Sequence, residues 1–324
     1  MAAAADESAR SQPTGVAAPK VREFTFHYRF QVKGLLQRPE PNRNMVRLWV
    51  PRPTSSECQT VTLLTAAAPD RFSEDEEPDF GNKILFLETV IPENGAFAVD
   101  LPYRVTRHEV LMTAPRTKAD NSFDEKQRQL FLRADELVPK SGKPLALLRD
   151  VKLSTDRLKL ARQLYDVVDE HVAYRKEGTG WGRGDTNWVC DSGYGNCTDF
   201  HSLFISLARS QGLPARFEIG FSISTDKPAG PVTGYHCWAW FYLDDHGWMP
   251  VDISEADKHP ELKEYYFGDL TADRVMFSVG RDLKLVPESK HQPLNFFIYP
   301  HVEVGGDVVP AGNVELQFAY ENVE

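Results

Sequence analysis

Long apolar runs are missing from this chain: no stretch approaches the roughly 20 residues needed to span a bilayer, which argues against a helical membrane span. A basic surplus is missing too. Asp and Glu outnumber Lys and Arg by 47 to 37, a net charge of -10, so neither nucleic acid nor anionic lipid is an expected partner. Cysteine is scarce: Cys58, Cys190, Cys197 and Cys237 are too few for a disulfide framework, form no CxxC pair and read as free thiols. The opening MAAAADESARSQPTG lacks the basic and apolar segments of a signal peptide. The expectation is a soluble, unanchored chain, either cytoplasmic or exported after loss of a signal.

What remains is an ordinary globular composition. With 324 residues and 41% hydrophobic content, the chain can bury two or three cores. Residues 1–20 carry Ala, Ser, Pro and Gly without periodicity and read as a disordered lead. Alternating stretches at 23–32, 45–50, 60–64, 83–90, 97–99 and 104–110 then predict short antiparallel strands, so residues 21–113 are expected to form a β-sandwich-like domain. The acidic run Ser73–Asp79 reads as a solvated loop. Residues 114–153, with Pro115, Pro139 and Pro144 around one short helix at 123–132, read as a connector.

The remainder, 154–324, is expected to be an α+β domain with a helix packed on antiparallel sheet. Ser154 precedes an amphipathic helix over 155–174 whose stripe is Leu158, Ala161, Tyr165, Val168 and Val172. The glycine-rich stretch EGTGWGRGDTNWVCDSGYGN follows with neither helical nor strand period, a length of loop that is usually functional. Asn196 then caps a helix over 197–211, with Phe200, Leu203, Phe204 and Leu207 on its buried face and Gly212 and Pro214 as its stop. Strands are predicted at 215–224, 235–243, 248–253, 275–286 and 314–320. The tail from Phe267 is expected to complete that domain's sheet and one wall of a cleft.

Chemistry concentrates at three residues. Cys197 opens the second helix, where the positive helix end favours a thiolate. That end supplies about 0.3–1 kcal/mol, or ~2 when partly buried. Lowering a thiol pKa by roughly three units takes about 4 kcal/mol, so a cationic partner is needed. His236, at the start of the strand GYHCWAWFYL, is the candidate. Asp252, in GWMPVDIS on the next strand, would fix the imidazole's tautomer. The two share a face only if the hairpin register sum is even, which a three-residue loop with Gly247 in a bulge supplies and a four-residue loop does not. Taken singly, the three read as a small core residue, a core or surface histidine and a turn residue. Each is, however, required by one mechanism.

The segments GNCTDFHSLFISLARSQGLPARFEIGF, GYHCWAWFYL and GWMPVDIS resemble the transglutaminase-like superfamily. The resemblance covers about 70 residues. It implies a papain-like core with Cys197 as nucleophile, His236 as general base and acid, and Asp252 as the histidine's partner, with no metal or organic cofactor. The calcium-site loop and barrel domains of animal tissue transglutaminases are not recognisable. Such enzymes stabilise the oxyanion with the nucleophile's own N–H and a further donor, for which Trp188 and Trp181 are candidates; Trp238, sharing a strand face with His236, is a third lining candidate. A zinc set of Cys190, Cys197, His201 and Cys237 has atypical spacing, a Cys190–Cys197 disulfide would mask the nucleophile, and His201 is expected on the helix surface. The implied activity is acyl transfer on a peptide or protein amide, to water or to an amine co-substrate. The competing reading is a peptide- or glycan-binding module that retains the fold without turnover.

Overall fold

The computed structural model describes residues 19–68, 70–113 and 123–323. The expected lead up to residue 18, and positions 114–122 of the expected connector, lie outside the described residues. The amino-terminal part forms strands β1 (Val21–Val32), β2 (Met45–Arg52), β3 (Gln59–Leu63), β4 (Ser73–Glu76), β5 (Lys83–Val90) and β6 (Phe97–His108). Helices α1 (Glu125–Leu132), α2 (Lys143–Ala146) and α3 (Arg157–His171) follow, then β7 (Ala173–Tyr174), α4 (Thr186–Ser192), β8 (Tyr194–Gly195) and α5 (Cys197–Ser210). The chain continues through β9 (Ala215–Ser222), β10 (Ala229–Val232), β11 (His236–Leu243), β12 (Gly247–Val251), α6 (Ile253–Lys258), β13 (Arg274–Val279), β14 (His301–Val304), β15 (Asp307–Val308) and β16 (Val314–Asn322). No helix among the described residues is long and apolar enough to cross a membrane.

Two five-stranded antiparallel sheets, ordered β10-β16-β1-β6-β3 and β15-β14-β2-β5-β4, combine the six amino-terminal strands with β10, β14, β15 and β16. In β1 the alternation is strict: Phe24, Phe26, Tyr28, Phe30 and Val32 are buried while their neighbours face outward. A third antiparallel sheet, ordered β12-β11-β9-β13, carries α5 on one face, giving the α+β arrangement. Aromatic contacts join the parts. Phe26 lies 4.9 Å from Phe221 on β9, and Tyr28 lies 5.4 Å from Phe277 on β13.

The described tail departs from expectation. Only β13 joins the third sheet; β14 and β15 extend the β2 sheet, and β16 pairs with β1 along nine residues from Phe24↔Asn322 to Val32↔Val314. The strand Val314–Asn322 has the same alternating pattern as β1, which suits either sheet, and pattern alone does not choose a partner. Ser73–Glu76 is an edge strand rather than a loop: its side chains face water, and its backbone pairs with β5. Burial begins next to it at Glu77, whose carboxylate accepts the N–H groups of Asp79 and Phe80.

Local rules explain the helices. Asp156, not Ser154, caps α3 by accepting the Lys159 N–H at 2.9 Å, while Ser154 Oγ accepts the Asp156 N–H. The glycine-rich stretch holds the short helix α4, capped by Asp185 and closed by Gly193, where no period was legible. Asn196 caps α5, and Asp199 completes a capping box by accepting the Asn196 N–H at 2.9 Å. Phe200, Leu203, Phe204 and Leu207 are wholly buried, each stabilising the fold by about 1.5–3 kcal/mol. The opposite side of α5 is buried too, because α3 and α4 pack on it and Arg209 is tied to Asp135 at 2.6 Å.

Gly220 on β9 sits directly opposite His236 on β11 and beside the bulge at Met276. A Cβ at Gly220 would overlap the Val275 carbonyl oxygen, and backbone cannot swing aside as a flexible side chain can. Gly220→Ala is therefore expected to destabilise the protein by about 3 kcal/mol or more. Urea unfolding followed by circular dichroism checks this; an unchanged midpoint would refute the close packing behind His236.

Candidate active site

The hairpin β11–β12 decides whether His236 and Asp252 meet. Its register runs from Leu243↔Gly247 to Ala239↔Val251, an even sum, with Asp244, Asp245 and His246 as a three-residue loop and Gly247 at φ 74°. His236 and Asp252 thus fall on one face, and His236 Nε2 lies 2.8 Å from Asp252 Oδ2. That leaves Nδ1 for Cys197, whose thiol is close enough to the imidazole for each group to shift the other's pKa. Cys197 is 2% exposed, His236 5% and Asp252 0%.

Charge in so dry a site must be balanced. Burial works against ionising either member of the pair. The Cys197 thiol would rise with burial, yet hydrogen bonds from Cys237 and His236 and the imidazolium charge hold it well below the ordinary value. Burial lowers His236, but the charge of Asp252 and its hydrogen bond outweigh it, bringing the imidazole up to about 9. Asp252 is opposed by burial and held far below the carboxylate range by His236 and Arg274. These directions favour thiolate, imidazolium and carboxylate in series.

Several groups were not singled out by the sequence. Arg274, 2% exposed on β13, donates from Nη1 to Asp252 Oδ2 at 3.0 Å and lies 4.8 Å from the Trp238 ring centre. Asp199 accepts the N–H groups of Gly182 at 2.6 Å and Gly184 at 2.9 Å, fastening the loop before α4 to the nucleophile's helix. Arg281, 1% exposed, binds the carbonyls of Gly184 and Arg183 and the side chains of Ser202 and Asn295. Glu255 Oε1 lies 3.9 Å from His236 Nε2 and accepts from Lys258 at 2.6 Å. Spacing marks Asp199 alone, at the third position of the cysteine helix; Arg274, Arg281 and Glu255 reach Asp252, the glycine-rich loop and His236 across long sequence separations.

Among the sequence candidates, Trp238 does not serve as an oxyanion donor: its indole N–H is spent on Glu218 Oε2 at 2.8 Å, on the sheet face away from α5. Trp188 lies on α4, edge-on to Tyr194 at 5.4 Å, and Trp181 lies in the preceding loop; no described residue accepts from either indole. Among the described residues the imagined zinc set does not form an ion site, although His201 and Cys237 lie together at the first turn of α5. Cys190 sits on α4 with its thiol pushed up to about 11 by burial and Asp191, and all four cysteines are free. The group close enough to share an ion is His236, Asp252 and Glu255, with ligand atoms within 4.8 Å of one another, a set already committed to hydrogen bonds and ion pairs.

His201 is a correction. Expected on the helix surface, it is 0% exposed because α5 is covered on all sides. Burial lowers it to about 4, so it is neutral: Nδ1–H donates to the Cys197 carbonyl at 2.7 Å, and Nε2 accepts the Ile253 N–H at 3.0 Å. It ties the first turn of the cysteine helix to the residue after Asp252. His201→Ala would strand two buried backbone groups, at about 1–3 kcal/mol each. A folded-state value of about 4 against 6.5 means that His201's contribution is complete above pH 6.5 and is lost as pH falls toward 4. The stability difference between the native protein and His201→Ala should accordingly shrink across that window; a difference constant with pH would contradict a neutral buried His201.

Residues 146–253 match the transglutaminase-like superfamily. An uncharacterised protein of Haemophilus influenzae is 26% identical over 359 aligned positions, covering 93% of this chain and 90% of that one. The crystal structure of a Cytophaga hutchinsonii protein named "putative cysteine protease" shares the fold with a TM-score of 0.58 at 15% identity, over 94% of this chain and 92% of that one. The segment 146–253, which supplies Cys197, His236 and Asp252, is a transglutaminase-like domain.

Proposed function

We propose that this protein catalyses thiol-dependent acyl transfer on amide bonds through a Cys197 thioester, with His236 as general acid and base and Asp252 as its orienting partner. The observation supporting it most is the buried series Cys197–His236–Asp252 at the start of α5, with His236 Nε2 2.8 Å from Asp252 Oδ2 and the Cys197 thiol lowered by the imidazole. A thiolate attacks an amide carbonyl without first needing a base. The oxyanion that forms meets the Cys197 backbone N–H, to which no described residue offers an acceptor, at the positive end of the helix. The Trp188 or Trp181 indole, each unpartnered among the described residues, is the proposed second donor. His236 then protonates the leaving amine from Nδ1, its ring held by Asp252 through Nε2.

Water resolving the thioester makes the protein a peptidase or amidase; an amine makes it a protein-glutamine transglutaminase. The proposed substrate is a peptide or protein amide, with an amine as optional co-substrate. Arg274 supports the reading because Asp252 remains a carboxylate only while cations oppose its burial.

Incubation with a glutamine peptide and a labelled amine separates the outcomes: ammonia release without incorporation is hydrolysis, and incorporation is transamidation. Cys197→Ala should abolish both. Turnover should fall as pH rises through about 9, where His236 loses the proton it gives to the leaving group. No turnover, together with Cys197 alkylated no faster than Cys58, would favour the fold acting as a peptide- or glycan-binding module.

A further inference from the structure

Cys237 performs no step of the proposed acyl transfer, yet it lies beside the nucleophile's helix. Alternation along β11 turns it to the face that α5 covers, opposite the face of Trp238 and Trp240. Its sulfur lies 3.7 Å from Thr198 Oγ1 and 3.9 Å from His201 Nδ1, seating it against the first turn of the helix that Cys197 begins. Cys237 is fully buried and Cys197 nearly so. His201 Nδ1, 3.9 Å from the Cys237 sulfur, lies 2.7 Å from the Cys197 carbonyl oxygen, so both cysteines lie at one buried turn, and each thiol shifts the other's pKa.

Their states are complementary. Cys197 carries the thiolate, the form that peroxides oxidise, while burial holds Cys237 as a thiol beside it. A thiol within reach of a sulfenic acid condenses with it before a second oxidation makes the damage irreversible. Cys190, which the sequence offered as the masking partner, sits on α4 with its thiol pushed up to about 11 by burial.

We propose that Cys237 is the resolving cysteine of Cys197, and that a hydroperoxide converts the pair to a Cys197–Cys237 disulfide which blocks the nucleophile until an external dithiol reduces it. The proposal rests on the reading of Cys197 as a thiolate. In the first step the Cys197 sulfur attacks the terminal peroxide oxygen; the S–O bond forms, the O–O bond breaks, and hydroxide or alkoxide leaves and is protonated. Sulfur gives up two electrons, and the peroxide is reduced. In the second step the Cys237 sulfur attacks the sulfenic sulfur; the S–S bond forms, the S–O bond breaks, and the departing hydroxide takes the Cys237 proton as water. Thiol–disulfide exchange with a dithiol then returns both thiols.

The test is a hydrogen peroxide titration of the full chain at neutral pH, with iodoacetamide labelling before and after dithiothreitol and peptide mass mapping without reduction. In the native protein, the peptides carrying Cys197 and Cys237 should become linked, and Cys197 should lose alkylation and regain it with dithiothreitol. In Cys237→Ser, Cys197 should pass to sulfinic and sulfonic acids that dithiothreitol does not reverse. Native protein that reaches sulfinic acid without a linked peptide, or a variant whose Cys197 recovers equally well, overturns the proposal. The linked peptide is read in the native chain, so a variant that fails to fold leaves that arm decisive. Slow alkylation of Cys197 in untreated protein counts against the thiolate reading itself; fast alkylation with no linked peptide counts against the pairing alone.

Discussion

Asp252 is a carboxylate with no access to water, and the arrangement around it follows from that one constraint. Stripping a charge of solvent costs several kcal/mol, so the group must be neutralised or surrounded by opposite charge and hydrogen-bond donors. The fold supplies both. His236 and Arg274 share Oδ2, while Ser254 and the Glu255 N–H reach Oδ1 as α6 begins. Because Asp252 caps that helix, its position is set by backbone as well as by charge. The imidazolium it favours is in turn what lowers the Cys197 thiol, so Asp252 acts on the sulfur through His236.

A second set of contacts keeps the partners in register. His201 joins the cysteine helix to the start of α6, Asp199 gathers the glycine-rich loop onto the helix cap, and Arg281 ties that loop to the segment after β13. Tyr235, just before His236, bridges Asn196 and Thr198 through its hydroxyl at 3.0 Å each. These groups are buried or half-buried. Their work is to fix distance, which near-attack geometry demands to within fractions of an ångström.

Much of this was legible in the sequence because it is local. The α5 cap, its apolar face and the stop at Gly212 obey short-range rules, and the strand pair carrying His236 and Asp252 is set by one three-residue loop. What was not legible is long-range. His201 looked like helix surface because a helix periodicity assumes one solvated side, and α5 has none. Arg274 approaches Asp252 across 22 positions and from a different strand, with no motif to announce it. The tail strands alternate in a way that would suit any sheet edge, and only the packed structure assigns β16 to β1. Trp238 shows the converse: its strand face was read correctly, but its hydrogen-bond partner on β9 decides its role.

The central claim is that Cys197 is a thiolate because His236, backed by Asp252 and Arg274, is protonated. The most direct measurement is the ultraviolet absorbance of thiolate in the folded native protein near pH 6, taken as a difference against Cys197→Ser and repeated in His236→Gln. The account predicts one thiolate in the native protein, absent from His236→Gln. Absorbance that appears only in the alkaline range of an ordinary buried thiol, or that survives unchanged without His236, would contradict it.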